Sequence, residues 1–458
     1  MVELMALALF ALVCVVLMLG FPVAFTLAGV SLLFAGVGML TSTFDPAYLS
    51  AMPNRVYGIM NNQILMAVPL FVFMGVMLEK SRIAERLLHN MGLLFGPVRG
   101  GLGISVVLVG ALMAASTGII GASVVTMGLI SLPTMLRQGY SPALTTGTIC
   151  ATGTLGQIIP PSTVLIILGD VLSSSYQQAQ LKMGIFSPES ISVADLFMGA
   201  LIPGLVLVLM YLFYIGLVAF FRPQAAPAVA DRPALDGAFV WEILKGLLPP
   251  LALIIAVLGS ILLGVATPTE AAAIGAGCSI LLAAFYRQLN LERLKEVMNS
   301  TLLVSGMVFM ILIGAALFSL VFRGFGGEEL IHDFFSTLPG GVFSAMLLVM
   351  LIIFLLGFIL DFIEITLVVV PIVAPVLLAM GVSPVWLGIM IAINLQTSFL
   401  TPPFGFALFY LRGVAPASVT TGMIYKGVVP FIVLQLLLLV LLAIFPELAT
   451  WLPKQLYS

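Results

Sequence analysis

The sequence predicts an all-α polytopic membrane protein of two inverted repeats. Each repeat would hold five transmembrane spans, one of them broken at Pro-Pro, and a re-entrant helical hairpin. Three observations lead there. Of 458 residues, 62% are hydrophobic and 8% charged, against roughly a quarter charged in a soluble domain. The apolar runs approach the ~20 residues a helical span needs, and they are continuous rather than alternating, which disfavours a β-barrel. Finally, helix-punctuating residues recur at a nearly constant offset. "GYSP" at Gly139–Pro142 and "GVSP" at Gly381–Pro384 are 242 residues apart, as are Pro133 and Pro375, and Pro160-Pro161 and Pro402-Pro403. Gly100-Gly101 and Gly340-Gly341 are 240 apart, and Pro22 and Pro268 are 246 apart.

Taken in order, the apolar segments fall at 3–20, 21–40, 56–79, 104–137, 143–173, 194–221, 243–264, 268–286, 300–323, 343–380, 385–411 and 425–447. The first opens on an acidic residue with no basic stretch before it, so it reads as a span and not a cleaved signal. Segments 104–137 and 343–380 are each long enough for two spans or for a hairpin that enters and returns. The arms "ISVVLVGALMAA" and "VVTMGLISLPTML" are short for spanning and flank a polar tip, "STGIIGAS", which favours re-entry. The first repeat is then 1–221, a linker 222–241 rich in Pro and Ala follows, and the second repeat is 242–458.

Five spans per half is an odd number, so the halves must point in opposite directions. Charge agrees. Lys80, Arg82, Arg86 and Arg99 precede the first hairpin, whereas Glu328, Glu329 and Asp333 precede the second, with Arg323 the only strong base there. The positive-inside rule puts the first hairpin and the linker in the cytoplasm and both termini outside. Segments Lys80–Arg99 and Arg323–Leu338 would be horizontal arms joining a static scaffold to a mobile core. Spans 3–20, 194–221, 243–264 and 425–447 are apolar throughout and lack paired polar positions, so they are expected in the scaffold.

A net charge of −2 with no basic block excludes a nucleic-acid partner. Cys14, Cys150 and Cys278 are far apart in apolar runs, and there are only two histidines. Neither a disulfide framework nor a transition-metal site is expected. No nucleophile with a base and no cofactor fingerprint is present, so an enzyme is not expected.

The breaks carry the function. Proline removes a helix donor and clashes with the preceding turn. Irregular backbone at mid-membrane depth survives only where it lines a cavity or is buried in protein. A broken helix presents carbonyls that suit a cation and N–H groups that suit an anion, and broken helices in paired repeats are the architecture of secondary transporters. The first hairpin tip offers Ser116, Thr117, Gly118, Gly121 and Ser123, and its broken helix offers Thr152, Gly153, Thr154 and Gly156. The second tip offers Asp361 and Thr366, and its broken helix Thr397, Ser398 and Thr401. These hydroxyls, carbonyls and one carboxylate are hard oxygen ligands for a small cation. Ser162, Thr163 and Gly405, at the starts of the second half-helices, are candidate positions for an anionic substrate. Isolated Ser and Thr in membrane helices more often bond back to their own helix, but here they cluster at two repeat-related places. Glu270 in "TPTE" fits a capping box, and Asp361 and Glu364 are open to a structural or a functional role.

"GIIGASVVTMGLISLPTMLRQGYSPALTTGTICATGTLGQIIPPS", "ATPTEAAA" and "NLQTSFLTPPFGFALF" resemble the large membrane subunit of tripartite ATP-independent periplasmic (TRAP) transporters over essentially the whole chain. The resemblance implies a multi-pass protein of the bacterial inner membrane that imports organic acid anions, coupled to Na⁺, by an elevator movement. It implies two partners, a small four-helix membrane subunit and a periplasmic substrate-binding protein. By motif, Gly121–Ser123 with Gly153–Pro161 would hold one Na⁺, and Asp361–Thr366 with Thr397–Thr401 the other. Ala122 stands where the family often has a second small hydroxyl residue, and Thr397-Ser398 replaces a more usual apolar-Gly pair. The competing reading is a standalone sodium/divalent-anion symporter that needs no binding protein; a passive channel explains the hairpins poorly.

Overall fold

The computed structural model describes residues 2–81, 83–118, 120–228 and 237–457. The helices α1 (Val2–Met18) and α2 (Val23–Leu40) lead through a 3₁₀ turn at Pro46–Ala51 into α3 (Met52–Asn61) and α4 (Ala67–Lys80). Next come α5 (Ile83–Phe95), the hairpin pair α6 (Gly101–Thr117) and α7 (Ile120–Arg137), the interrupted pair α8 (Pro142–Thr154) and α9 (Thr163–Lys182), and α10 (Val193–Phe221). The second half runs α11 (Gly237–Leu262), α12 (Pro268–Phe285), α13 (Leu291–Gly324) and α14 (Gly327–Ser336). It continues with α15 (Gly341–Leu356), α16 (Phe362–Val368), α17 (Val370–Ala379), α18 (Pro384–Leu400), α19 (Phe406–Val414), α20 (Thr421–Ile444) and α21 (Glu447–Tyr457). Among the described residues, seven helices are long and apolar enough to cross a membrane, and α16 and α17 form a pair bent by 56°.

Local chemistry sets the boundaries. Thr267 and Glu270 form the expected capping box: the Thr267 backbone N–H donates to Glu270 Oε2 at 2.8 Å, and the Glu270 N–H donates to Thr267 Oγ1 at 3.3 Å. Gly100 and Gly340 begin α6 and α15 with φ of 77° and 100°, left-handed values that favour glycine.

Three expectations are corrected. The segment 56–79 is interrupted at 62–66, where Asn62 Oδ1 accepts from the Ile64 N–H at 2.9 Å and Asn62 Nδ2 donates to Asp170 Oδ1 at 2.9 Å. A short polar residue that satisfies its own neighbours lets the chain leave the helix. The first hairpin's arms are longer than predicted, 17 and 18 residues, because α6 starts at Gly101 and both helices run into the polar tip, α6 to Thr117 and α7 from Ile120. Arg323 belongs to the last turn of α13 and not to the following arm; Gly326, at φ 71°, marks the corner. The start of the linker is tied to the hairpin and to the broken helix. The Ser141 N–H donates to Ala225 O and the Gly100 N–H to Ala226 O, both at 3.0 Å, and Ala226 is fully buried.

The chain divides into two compact units. The first holds Met1–Met66, Ile166–Ser192 and Leu302–Gly388; the second holds Ala67–Leu165, Val193–Thr301 and Ile389–Ser458. The core of the first unit is aromatic. The Phe44 and Phe325 rings are 5.1 Å apart, and Phe318 stacks on Phe322 at 5.7 Å. Glycines let α2 and α13 approach: a Cβ on Gly314 would lie 2.6 Å from Ala24 O. In the same unit Glu328 meets Arg323 at 3.6 Å and Lys182 at 3.8 Å.

The second unit is organised around α8 and α20. A Cβ on Gly147 would lie 2.0 Å from Gly427 O, and one on Gly427 would lie 2.0 Å from Ala143 O. The two backbones touch, as small residues permit between membrane helices. Tyr211 and Tyr214 of α10 each pack edge-on against Phe431 of α20, with centroids 5.1 Å apart.

Candidate functional site

The first break lies wholly within the second unit. α8 ends at Thr154, one 3₁₀ turn covers Leu155–Gln157, and α9 starts at Thr163. Both prolines are buried, as is every residue from Leu144 to Ile158. The hairpin tip covers the break. Thr163 Oγ1 donates to Gly118 O at 3.3 Å, and the Gly156 Cα–H face lies against Ala114 O and the Gly118 Cα. Ser162 Oγ donates to Gln157 O at 3.1 Å, so the hydroxyl satisfies a carbonyl that the break releases.

Of three predicted glycines, Gly153 and Gly121 have packing reasons to be small, whereas a Cβ on Gly156 would make only ordinary contacts at 3.5 Å or more. A Cβ on Gly153 would lie 2.3 Å from Val124 Cγ2, one on Gly121 would lie 3.0 Å from Tyr410 Cζ, and Gly156 faces the end of α6. Ser123 is buried in the first turn of α7. Ser116 and Thr117 end α6, and their side chains lie outside the described residues. Thr152 and Thr154 donate to Thr148 O and Ala151 O at 2.6 and 2.8 Å. Such back-bonding spends the hydroxyl proton and leaves oxygen lone pairs available to a cation.

At the second break α18 ends at Leu400 and α19 begins after Gly405. Thr397 Oγ1 donates to Ile393 O at 2.8 Å, Thr401 Oγ1 to Thr397 O at 2.7 Å, and the Gly405 N–H to Thr401 O at 3.0 Å. Thr397 and Ser398 are fully buried, whereas Pro403 and Phe404 are exposed. Asp361 and Thr366 belong to the first unit. Asp361 is the N-cap of α16. Its Oδ1 accepts from the Phe362 N–H at 2.7 Å, and its own N–H donates to Glu364 Oε2 at 2.9 Å. The Thr366 hydroxyl is buried with no protein partner.

Four glutamine and tyrosine positions at the first break were not picked out by sequence reasoning. Gln396 Nε2 donates to Thr154 Oγ1 at 3.3 Å, joining two residues 242 apart. Gln435 Nε2 donates to the Tyr211 hydroxyl at 2.8 Å, and that hydroxyl also lies beside the Gln396 amide. Gln157 is fully buried with neither amide atom partnered, and Gln396 Oε1 and Gln435 Oε1 are likewise unpartnered. Unmet buried polar atoms are costly, about 1–3 kcal/mol each, and their concentration at a helix break is what a solute or ion site requires. The signal available in the sequence was the 242-residue offset itself, which pairs Thr154 with Gln396. This network also corrects the reading of 194–221 and 425–447 as purely apolar scaffold spans. Tyr211 and Gln435 are a buried polar pair, and α10 and α20 pack directly on the broken helices through it.

Among the described residues no group of three or more His, Cys, Asp or Glu side chains is placed to hold a metal ion. An all-helical, multi-pass chain with helices broken deep inside it is a membrane transport protein in class. The family model for the DctM component of the tripartite ATP-independent periplasmic transporter matches residues 10–448. A C4-dicarboxylate TRAP transporter large permease protein of Pseudomonas aeruginosa is 30% identical over 413 residues, covering 90% of this chain and 91% of that protein. A sialic acid TRAP transporter large permease protein of Vibrio cholerae is 27% identical, covering 95% of each. The crystal structure of the Alcanivorax borkumensis YdaH transporter shares the fold, with a TM-score of 0.59 at 16% identity over 87% of this chain and 88% of that one. The chain belongs to the DctM family of TRAP transporter large permeases, multi-pass proteins of the bacterial inner membrane.

Proposed function

We propose that the chain imports organic acid anions by sodium-coupled secondary transport, as the large permease of a three-part system. Its partners would be a small four-helix membrane subunit and a periplasmic substrate-binding protein. The carrying observation is the first break: Leu155–Ser162, where every residue but the half-buried Ile159 is buried, roofed by the hairpin tip at Gly118 and surrounded by unpartnered amide oxygens. Carbonyl and hydroxyl oxygens there suit Na⁺, with Gly121, Ser123, Gly153, Thr154 and Gly156 as the first set of ligands. Asp361 and Thr366 in the first unit, and Thr397, Ser398 and Thr401 in the second, are the remaining candidate Na⁺ ligands. The N-terminal turns at Ser162-Thr163 and Gly405 offer N–H groups to a carboxylate. No Lys or Arg lies among these residues, so helix ends and bound cations would supply the positive field. The dicarboxylate and sialic acid carried by the two relatives named above both bear carboxylates, which supports the substrate class.

Transport would proceed by an elevator movement, with α8, α10, α18 and α20 travelling as one body because the Gly147–Gly427 contact and the Thr154–Gln396 and Tyr211–Gln435 pairs bind them together. Gly100 and Gly340, at the arm-to-hairpin junctions, would be the hinges. Uptake of a labelled dicarboxylate into proteoliposomes tests this. Accumulation is expected only with an inward Na⁺ gradient and with all three components present. Uptake by this chain alone would support the standalone symporter, and uptake indifferent to Na⁺ would overturn the coupling.

A further inference from the structure

A cavity of about 1410 Å³ lies in the second unit at the base of the first hairpin, the end away from Gly118. It is walled by α5, α6, α7, the start of α11 and the end of α12. Arg86, Arg137, Lys245 and Arg287 ring it, against the carboxylates of Glu85 and Glu242, and no ion pair among the described residues joins these groups. The Arg86 guanidinium sits 5.8 Å from the Tyr286 ring centroid, and the Tyr286 hydroxyl donates to Lys245 O, so the basic rim is built on a fixed aromatic post. Apolar side chains share the lining: Leu102, Val106 and Met135 are buried, and Leu129 and Phe285 are exposed at 59% and 68%. Ser131 also lines it, is 1% exposed, and its hydroxyl has no protein partner.

We infer that this cavity holds an anionic glycerophospholipid. The volume exceeds the ~300–1,000 Å³ of ordinary small-molecule pockets. A site lined by both cationic and exposed apolar side chains suits an amphiphile better than a free anion. Lys245 stacked over Trp241 at 5.3 Å, with that indole 58% exposed, places the rim at the depth where aromatic and basic residues meet lipid headgroups. Arg86, Arg287 and Lys245 hold the phosphodiester, Ser131 accepts a hydrogen bond from or donates one to the glycerol region, and the acyl chains leave past Leu129 and Phe285. The occupied cavity pins the arm α5 to the base of the hairpin, at the joint that begins at Gly100.

The test uses the full chain in nanodiscs of phosphatidylcholine doped with phosphatidylglycerol, read by native mass spectrometry. Retained phosphatidylglycerol is expected on the wild type, with at least tenfold weaker retention in the R86Q/R287Q double variant and in Lys245→Glu. Photoreactive phosphatidylglycerol should label peptides containing Leu129–Gln138 and Phe285–Gln288, a readout that needs no substitution. Equal retention of phosphatidylcholine, unchanged retention in both variants, or labelling elsewhere would overturn the inference. Displacement by millimolar inorganic phosphate would show a free-anion site instead. Loss of labelling when the small membrane subunit is co-purified would show that protein, and not lipid, covers this face.

Discussion

The two helix breaks are the same device in different surroundings. The first is buried, roofed by the Gly118 turn and enclosed by helices whose backbones touch at Gly147 and Gly427. The second keeps its first half-helix buried through Ser398 but turns at Pro403-Phe404 with both residues exposed. The first break satisfies its released groups with Ser162, Thr163 and Thr154, and it draws in Gln396 from the other half of the chain. The second relies mainly on its own helix, through Thr397, Thr401 and Gly405, and takes one partner from α20, where the Tyr425 hydroxyl donates to Pro403 O at 3.2 Å. A break deep in apolar surroundings needs partners from elsewhere, because unmet backbone there costs several kcal/mol per group; a break near its surface can leave more of its groups to its own helix.

The largest expected effect follows from packing. Gly147→Ala should destabilise the second unit by about 3 kcal/mol, the upper range for overpacking, since its new Cβ meets backbone that no rotamer change can move. Gly413→Ala, in α19 with open space around it, should be neutral or slightly stabilising through helix propensity. Thermal unfolding in detergent measures both; equal effects would mean that the first break is no more tightly enclosed than the second.

Sodium should come next. Ser123→Ala, beside the buried break, should raise the Na⁺ concentration for half-maximal uptake several-fold. A lost oxygen in a small cage is worth on the order of 1–3 kcal/mol. An unchanged sodium curve in a folded variant removes Ser123 from the ligand set.

The smallest effect separates capping from coordination at Asp361. Asp361→Ala should cost about 1 kcal/mol as a lost N-cap, while Asp361→Asn should keep the cap and cost little. If uptake by the Asn variant keeps its sodium dependence, Asp361 serves only α16. If that dependence weakens at unchanged stability, the carboxylate is a ligand.

Much of this was legible in the sequence. The Pro-Pro pairs located both breaks because proline acts on its own helix, and "TPTE" gave away its capping box for the same reason. The 242-residue spacing matched the two Pro-Pro breaks to each other, but the bond between Thr154 and Gln396, also 242 apart, was not read from it. What escaped was contact between distant segments. Gln157 stood in plain view inside "GTLGQIIPPS", but nothing local distinguishes a buried amide from a surface one. Tyr211 and Gln435 sit in spans that read as apolar throughout, because their pairing depends on α10 and α20 meeting. Asn62 interrupts its span by bonding to its own neighbours and to Asp170, and a hydropathy window averages such a residue away.

The central claim is that the enclosed first break is a preformed sodium site. The most direct measurement is the unfolding temperature of the purified chain across a NaCl series, at ionic strength held constant with KCl. A ligand that binds only the folded state stabilises it by RT ln(1 + [L]/Kd). Sodium should therefore raise the wild-type midpoint progressively, potassium should not, and Ser123→Ala should shift the curve to higher sodium. Equal stabilisation by both cations, or a Ser123→Ala curve that overlays the wild type, would contradict a sodium site at the first break.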